Sequence, residues 1–283
     1  MKPEVSIIVT SYKNPQILDL CLGSLQENVK NLDYEIIVAD GETGERTADL
    51  MRNKYSDVQF IPNIKNIGFL ALVNQGLDVA KGSFYFIINA DIVIKTNTVE
   101  KIIEYIKNNP EVGIVSPRMI NFDNSTQPSC FRFYTPSTIL YRRTFLKRFN
   151  FAKKHLSKFL MEDVNKTNGS IEVDWVMGST IAMSKKSLEK IGRMDERFFM
   201  YFEDVDWCWR CWENNLKVKY YPELSVYHYH GAQSSNKNAL RAVLFNKYSR
   251  IHIVSAIKFF MKYFGKKNPH KEYDKKFKKT NNE

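Results

Sequence analysis

Along the first 120 residues, short unbroken apolar runs alternate with stretches whose apolar positions recur three and four apart. The first kind reads as a strand buried on both faces and the second as a helix with one buried stripe. Val5-Ser6-Ile7-Ile8-Val9-Thr10 is such a strand, ending in the turn Ser11-Tyr12-Lys13-Asn14-Pro15. Ile17, Leu18, Leu20, Cys21, Leu22 and Leu25 then trace a helix. Tyr34 to Ala39 repeats the plan, ends at Asp40-Gly41-Glu42-Thr43-Gly44, and leads into a helix over Thr47 to Tyr55. Val58 to Ile61 is a third strand, Asn66-Ile67-Gly68-Phe69 a turn, and Leu70 to Ala80 a helix. The strand Ser83 to Asn89 follows and stops at Ala90-Asp91; after it come a helix over Thr96 to Asn108 and a strand from Val112 that halts at Pro117. This alternation calls for an α/β fold with a mainly parallel, Rossmann-like sheet and right-handed crossovers. Asp40 and Asp91 then sit on one sheet edge, beyond the carboxyl ends of their strands, where ligands of open α/β sheets collect.

Past Pro117 the pattern dissolves. Asn121 to Gly169 mixes turn residues, Arg/Lys and aromatics, and is expected to be a long functional excursion or mobile loop rather than core. Order returns at Ile171 to Met183, read as strand, and at Ser187 to Ile191, read as a short helix. The run Phe198-Phe199-Met200-Tyr201-Phe202-Glu203-Asp204-Val205-Asp206 comes next. Lys217 to Tyr221 and Leu224 to Tyr229 read as strands, with His228 and His230 on one side of the second. Ala239 to Phe264 is a long helical stretch, and Gly265 to Glu283 is expected to be disordered.

Charge adds one point. The chain carries 42 Lys and Arg against 31 Asp and Glu, a formal net charge of +11, which favours an anionic partner. Much of the excess lies beyond Lys258, so the expectation is a nearly neutral body with a basic tail. Aromatic and aliphatic side chains beside lysines in Ala239 to Phe264 suit a helix lying on an anionic membrane, or one packed on the domain before a solvated tail. No apolar run approaches the ~20 residues that span a bilayer. The four cysteines lack framework spacing, Cys208-x-x-Cys211 reads as ordinary helix positions, and no signal-peptide pattern precedes the first strand. The expected compartment is therefore cytoplasmic, with peripheral attachment at the inner face of the cell membrane.

Three places carry candidate chemistry. Asp91 either holds a divalent metal against phosphate oxygens or merely caps a turn. Glu203, Asp204 and Asp206 either dress a helix N-terminus, which the pattern alone favours, or present a partly desolvated acid as a general base. His228 and His230 either reach one metal or diphosphate, or are ordinary strand residues.

Taken together, Val5 to Tyr12, Asp40, Asn66-Ile67-Gly68-Phe69 with Asn74-Gln75-Gly76, Asn89-Ala90-Asp91, Trp175-Val176-Met177-Gly178 and Phe198 to Arg210 resemble the family 2 glycosyltransferases of the rhamnosyltransferase-like branch. The resemblance runs from Val5 to about Ser234. It implies a GT-A fold over 1–235, with a nucleotide-sugar-binding half at 1–118 and an acceptor half at 119–235, followed by a basic amphipathic helix and tail at 236–283. It implies inverting transfer of a sugar from a dTDP- or UDP-sugar to a glycan or polyprenyl-linked acceptor. Thr10, Ser11 and Tyr12 would line the nucleotide pocket, Asp40 would contact the base, and Asn66, Gly68, Asn74 and Asn89 would shape the diphosphate side. Asp91, with His228, would hold Mn²⁺ or Mg²⁺, and Asp204 would be the catalytic base. Trp175, Gly178, Glu203 and Asp206 would be acceptor-side or supporting residues. Two positions depart from the family pattern: Asn89 replaces the first acid of the metal-binding D-x-D element, and Asp40-Gly41-Glu42-Thr43 replaces Asp-Asn-x-Ser. The alternative is a nucleotide-sugar or membrane-surface binding protein whose site has decayed, with Asn89 as the symptom, against which Glu203, Asp204 and Asp206 are all intact. An aspartyl phosphotransferase is excluded because Asn89 cannot act as nucleophile. The absence of G-x-G-x-x-G after the first strand disfavours a dinucleotide oxidoreductase. With no recognised nucleic-acid module ahead of the basic tail, nucleic acid is not an expected partner.

Overall fold

The computed structural model describes residues 2–166, 169–229 and 247–277. The alternation in the first half becomes β1 (Val5–Ser11), α1 (Pro15–Asn28), β2 (Tyr34–Gly41), α2 (Glu45–Lys54), β3 (Gln59–Asn63), α3 (Phe69–Val79) and β4 (Phe84–Asn89). A two-residue β5 (Ile92–Val93), α4 (Thr98–Asn108) and β6 (Val112–Ile120) follow. β1 is buried at every position because both of its faces are covered. Val5, Ile7 and Val9 enter one apolar layer with Leu18 and Leu22 of α1, Met51 of α2 and Ile102 of α4. Ile8 enters the other, with Leu70 and Val73 of α3.

The second half supplies β7 (Cys130–Phe131), α5 (Pro136–Arg143), a 3₁₀ turn (Phe145–Arg148), α6 (Asn150–Phe159), β8 (Ile171–Glu172), β9 (Trp175–Val176), β10 (Thr180–Ser184), α7 (Lys185–Ile191), α8 (Glu203–Glu213) and β11 (Lys217–His228). The helices Lys247–Lys262 and Pro269–Phe277 close the described chain. The nine-stranded sheet runs β3-β2-β1-β4-β10-β6-β11-β5, with β8 also on β11. It is parallel from β3 to β4 and again across β6 and β11, while β10 is inserted antiparallel between β4 and β6. The apolar run over Ile171 to Met183 is thus three short strands on different partners instead of one. Asp174 breaks it: its buried carboxylate accepts the Phe133 amide at 2.7 Å, which turns the chain. The two strands expected between Lys217 and Tyr229 are one, with a register irregularity between Tyr221 and Ser225.

Two further expectations are corrected. The segment Asn121 to Gly169 is not all surface excursion, since Phe131, Phe133, Tyr134 and Phe159 are buried. Phe131 stacks on Trp175 with centroids 4.4 Å apart, and Tyr134 meets Phe159 at 4.7 Å. α5 begins on a capping box made by Thr135 and Thr138, with Pro136 in its first turn. The stretch Gly265 to Glu283 is likewise ordered where described. The imidazole of His270 stacks on Trp212 at 3.8 Å, and its Nδ1 lies 2.6 Å from Asp174 Oδ1. Burial works against its charge, but the bonds to Asp174 and Glu172 win and raise its pKa above the ordinary histidine value.

The helix Lys247–Lys262 is held by a buried node. Asp206, wholly buried, accepts from Arg210 Nε at Oδ2 (2.9 Å), and from both the Tyr263 hydroxyl (2.8 Å) and Lys262 Nζ at Oδ1. Substituting Asp206→Ala strands these cations, a defect of about 3 to 5 kcal/mol. At roughly 2 to 4 °C per kcal/mol for a domain this size, the melting temperature is expected to fall by about 6 °C or more. An unchanged melt would show that the node does not hold the helix.

Candidate active site

The parallel register brings the ends of β1, β2 and β4 to one edge. Ser11 pairs with Asp40 and Thr10 with Asn89, so Asp40 and Asn89 flank β1. Asp91, two residues past Asn89, lies beyond the same end. Asp40 is fully buried, and among the described residues neither of its carboxylate oxygens has a hydrogen-bond partner; the Ser11 hydroxyl beside it is equally without one. A buried carboxylate is stable only with donors around it. The arrangement suits a ligand that brings N–H groups to the end of β2. Tyr12 is exposed, its hydroxyl on Glu42 at 3.2 Å.

At the end of β4, Thr10 Oγ1 donates to Asn89 Oδ1 at 3.1 Å, and the Asn89 amide donates to Ser179 Oγ at 3.4 Å. Asp91 lies opposite β11, its Oδ2 3.6 Å from His228 Nε2 and its Oδ1 buried without a hydrogen-bond partner among the described residues. His228 Nδ1 sits 2.7 Å from Gln127 Oε1, and the Gln127 amide in turn donates to the His228 carbonyl. An amide oxygen can only accept, so Nδ1 carries a proton and Nε2 is the ring atom turned toward Asp91. One carboxylate and one oriented imidazole form a donor set that fits a divalent cation. His230 and Gly231 lie outside the described residues. A second grouping, Glu172, His270 and Asp274, also brings ligand atoms within 4.8 Å of one another. Lys217 and Lys219 each lie 3.5 Å from Glu172 there.

The third part is the start of α8. Tyr201 and Phe202 both have φ of 68°, the left-handed region that non-glycine residues avoid. This forced turn places Glu203 and Asp204 in the first helical turn. The Gly178 amide donates to Asp204 Oδ2 at 3.0 Å and the Val205 amide to Oδ1 at 2.8 Å. Burial pushes the Asp204 carboxyl up to about 6, against the pull of those two amides. Glu203, more deeply buried and beside Asp204, is raised well above the ordinary carboxyl value, first by burial and then by its neighbour's charge. Three acids on one helix thus take three states. Asp206, drawn inward by Arg210, Lys262 and Tyr263, is part of the core.

Other expected residues are placed as follows. Asn66 accepts the Gly68 amide at 2.9 Å, and Gly68 has φ of 89°. A Cβ on Gly68 would lie 2.6 Å from the Phe199 carbonyl, so this glycine lets the turn before α3 touch the segment that leads to Asp204. A Cβ on Gly178 would press on Asp204 Cβ at 3.3 Å. Asn74 turns inward, both ends of its amide spent on the Met194 backbone at 3.0 and 3.1 Å. Trp175 and Asp206 lie in the interior, as supporting residues would: Trp175 is stacked among Phe131 and Tyr134 with its indole N–H on the Arg132 carbonyl. Gln127 and Ser179 were not foreseen. Gln127 lies in the patternless stretch, and Ser179 acts only through the strand pairing of β10 with β4.

The fold is that of the GT-A glycosyltransferases. GalNAc-T7, crystallised with UDP, GalNAc and Mn²⁺, matches with a TM-score of 0.60 at 16% identity, over 88% of this chain and 48% of its own. Staphylococcus aureus TarS residues 1–349 match with a TM-score of 0.54 at 14% identity, over 80% of this chain and 60% of theirs. The chain belongs to glycosyl transferase family 2, whose profile matches residues 6–191. The low-salt glycan biosynthesis hexosyltransferase of Haloferax volcanii is 24% identical over 231 residues, 77% of this chain. The chain spans 64% of that relative's length. The N-acetylglucosaminyl-diphospho-decaprenol L-rhamnosyltransferase of Mycobacterium tuberculosis is 22% identical over 250 residues, 84% of this chain and 80% of its own. A dTDP-rhamnosyl transferase of Shigella flexneri is 24% identical over 242 residues, 83% of this chain and 72% of its own.

Asp40 gives the sharpest prediction. Asp40→Asn removes an unsatisfied buried charge without changing shape, so the ligand-free protein is expected to melt higher by about 1 to 3 kcal/mol of added stability. Its affinity for uridine or thymidine diphosphate is expected to drop at least tenfold. Equal melting points and equal affinities would show that Asp40 is not the base-recognising group.

Proposed function

We propose that this chain is an inverting glycosyltransferase that moves a sugar, with rhamnose the first candidate, from a dTDP- or UDP-sugar to a hydroxyl of a glycan or polyprenyl-linked oligosaccharide. Cell-surface polysaccharide synthesis is the proposed setting, on the cytoplasmic side of the cell membrane. The observation that carries the reading is Asp204, a base of pKa about 6 fixed by two backbone amides and joined to the end of β4 through Gly178, Ser179 and Asn89.

In this reading residues 1–118 supply the donor side and 119–235 the acceptor side. Asp40 accepts from the pyrimidine N–H, Thr10, Ser11 and Tyr12 border the nucleoside, and Asn66, Gly68 and Asn89 shape the diphosphate side. Asn74 contributes by fixing the Met194 backbone against α3. Asp204 takes the proton of the acceptor hydroxyl as its oxygen forms a bond to the anomeric carbon. The bond from that carbon to the diphosphate oxygen breaks on the opposite face, and its electron pair leaves with the nucleoside diphosphate. One displacement inverts the centre. Asp91 and His228 would hold Mn²⁺ or Mg²⁺, which when bound neutralises charge on the leaving diphosphate. Placing it there and not at Glu172, His270 and Asp274 follows from the two lysines that already balance Glu172 and from the raised pKa of His270.

Calorimetric titration with nucleoside diphosphates and their sugars, with and without Mn²⁺, tests the donor side. Metal-enhanced binding of dTDP or UDP is expected in the wild type and in Asp204→Asn, and loss of the metal enhancement in Asp91→Ala. Turnover in Asp204→Asn should fall by about 10² to 10⁴. If no nucleotide binds under any metal condition, or if Asp204→Asn transfers sugar at the wild-type rate, the proposal fails.

A further inference from the structure

Between Pro136 and Met161 the chain carries seven Lys and Arg side chains, from Arg142 to Lys158, and no carboxylate. Among the described residues none of the seven is ion-paired to an acid. Three lysines of the C-terminal region differ. Lys262 is drawn onto Asp195 and Asp206, Lys266 onto Glu213 and Lys275 onto Glu272. Among the described residues α5, the 3₁₀ turn and α6 thus gather seven cations without an acid partner, whereas Lys262, Lys266 and Lys275 are each balanced.

The same segment exposes its large apolar side chains. Leu140 is 49% accessible, Phe145 68%, Phe149 48% and Phe151 56%. They are contiguous: Phe149 meets Phe145 at 6.3 Å, stacks on Phe151 at 5.8 Å, and Phe151 packs against Tyr141 at 5.6 Å. The inner side is anchored, since Ala152 and Phe159 are buried and Arg142 donates to the Tyr134 hydroxyl at 2.7 Å. An aromatic ridge that offers no hydrogen bond, set in unpaired cations on a fixed support, matches an anionic lipid surface: rings enter the acyl boundary while guanidinium and ammonium groups meet phosphates. A nucleic-acid surface would instead call for a groove lined by donors.

We propose that Leu140, Phe145, Phe149 and Phe151, framed by these cations, form a docking face for an anionic phospholipid bilayer. The docking stands on this surface alone and needs no transfer reaction. Tyr134, bonded to Arg142, packs on Phe202 at 4.8 Å, two residues before Asp204. The support of the ridge is thereby packed directly on the segment that carries Asp204.

Cosedimentation of the full chain with vesicles of phosphatidylcholine alone, or of equal parts phosphatidylcholine and phosphatidylglycerol, tests the face. Binding is expected to the anionic vesicles and to weaken with salt. The combined variant Phe145→Ser, Phe149→Ser, Phe151→Ser is expected to lower partitioning at least about tenfold, with an unchanged melt and unchanged nucleotide affinity. A second variant, Ile257→Ser with Phe264→Ser, removes exposed apolar side chains from the C-terminal region and is expected to bind as the wild type does. The proposal is overturned if the wild type ignores anionic vesicles, if the triple variant binds undiminished, if the C-terminal variant is the one that detaches, or if duplex DNA binds and vesicles do not. Intact nucleotide binding alongside failed vesicle binding would leave the transferase reading standing and remove only the membrane face.

Discussion

Asn89 and Ser179 are bonded to each other twice, through the Asn89 amide of the backbone at 3.1 Å and through their side chains. This contact exists because β10 runs antiparallel between β4 and β6. The turn that leads into it, Gly178-Ser179, is thereby brought beside the end of β4 and carries the amide that holds Asp204. Asn89 and Asp204 are consequently spaced by a turn that the pairing of β10 with β4 holds in place. The Gly68 turn braces the same region from the other side, with its missing Cβ filled by the Phe199 carbonyl. Catalytic groups held by rigid elements keep the geometry that displacement chemistry requires.

The first turn of α8 shows how environment separates like side chains. Asp206 turns inward to two cations and a phenol and is structural. Glu203 is sealed away from solvent and pushed toward its neutral form, and Asp204 is left half-buried with two amides and a pKa near the working range. Their spacing points the three carboxylates around the helix in different directions. The strained turn at Tyr201 and Phe202 decides which of them faces the Gly178 loop. Strain at that point is held in place by the packing of Phe202 against Tyr134 and Phe259.

Much of the edge that gathers Asp40, Asn89 and Asp91 is legible in the sequence. Buried strands alternating with amphipathic helices leave few topologies, and right-handed crossovers put Asp40 and Asp91 on one edge. Asp204 could not be separated from Glu203 and Asp206 by pattern, and only the family resemblance singled it out. The aromatics Phe131 to Tyr134 looked like loop because their partners, Phe159 and Trp175, are distant in sequence, although Thr135-Pro136-Ser137-Thr138 carried a helix-start signal. The tail misled for the same reason. Its lysines were counted as free charge, while Asp195, Asp206 and Glu213, which neutralise them, lie some fifty or more residues earlier.

The central claim is that Asp204 acts as an ionised base at the acceptor hydroxyl. The most direct measurement is the pH dependence of kcat/KM for sugar transfer, wild type against Gly178→Ala, with donor and metal held saturating. A base whose carboxyl is raised to about 6 is active above that pH and is protonated as the pH falls through it. The account predicts a flat profile above about 7 and a tenfold loss per pH unit below about 6, with the inflection moved in the variant that crowds Asp204. A profile that shows no inflection between pH 4 and 8, or the same inflection in both proteins, would contradict it.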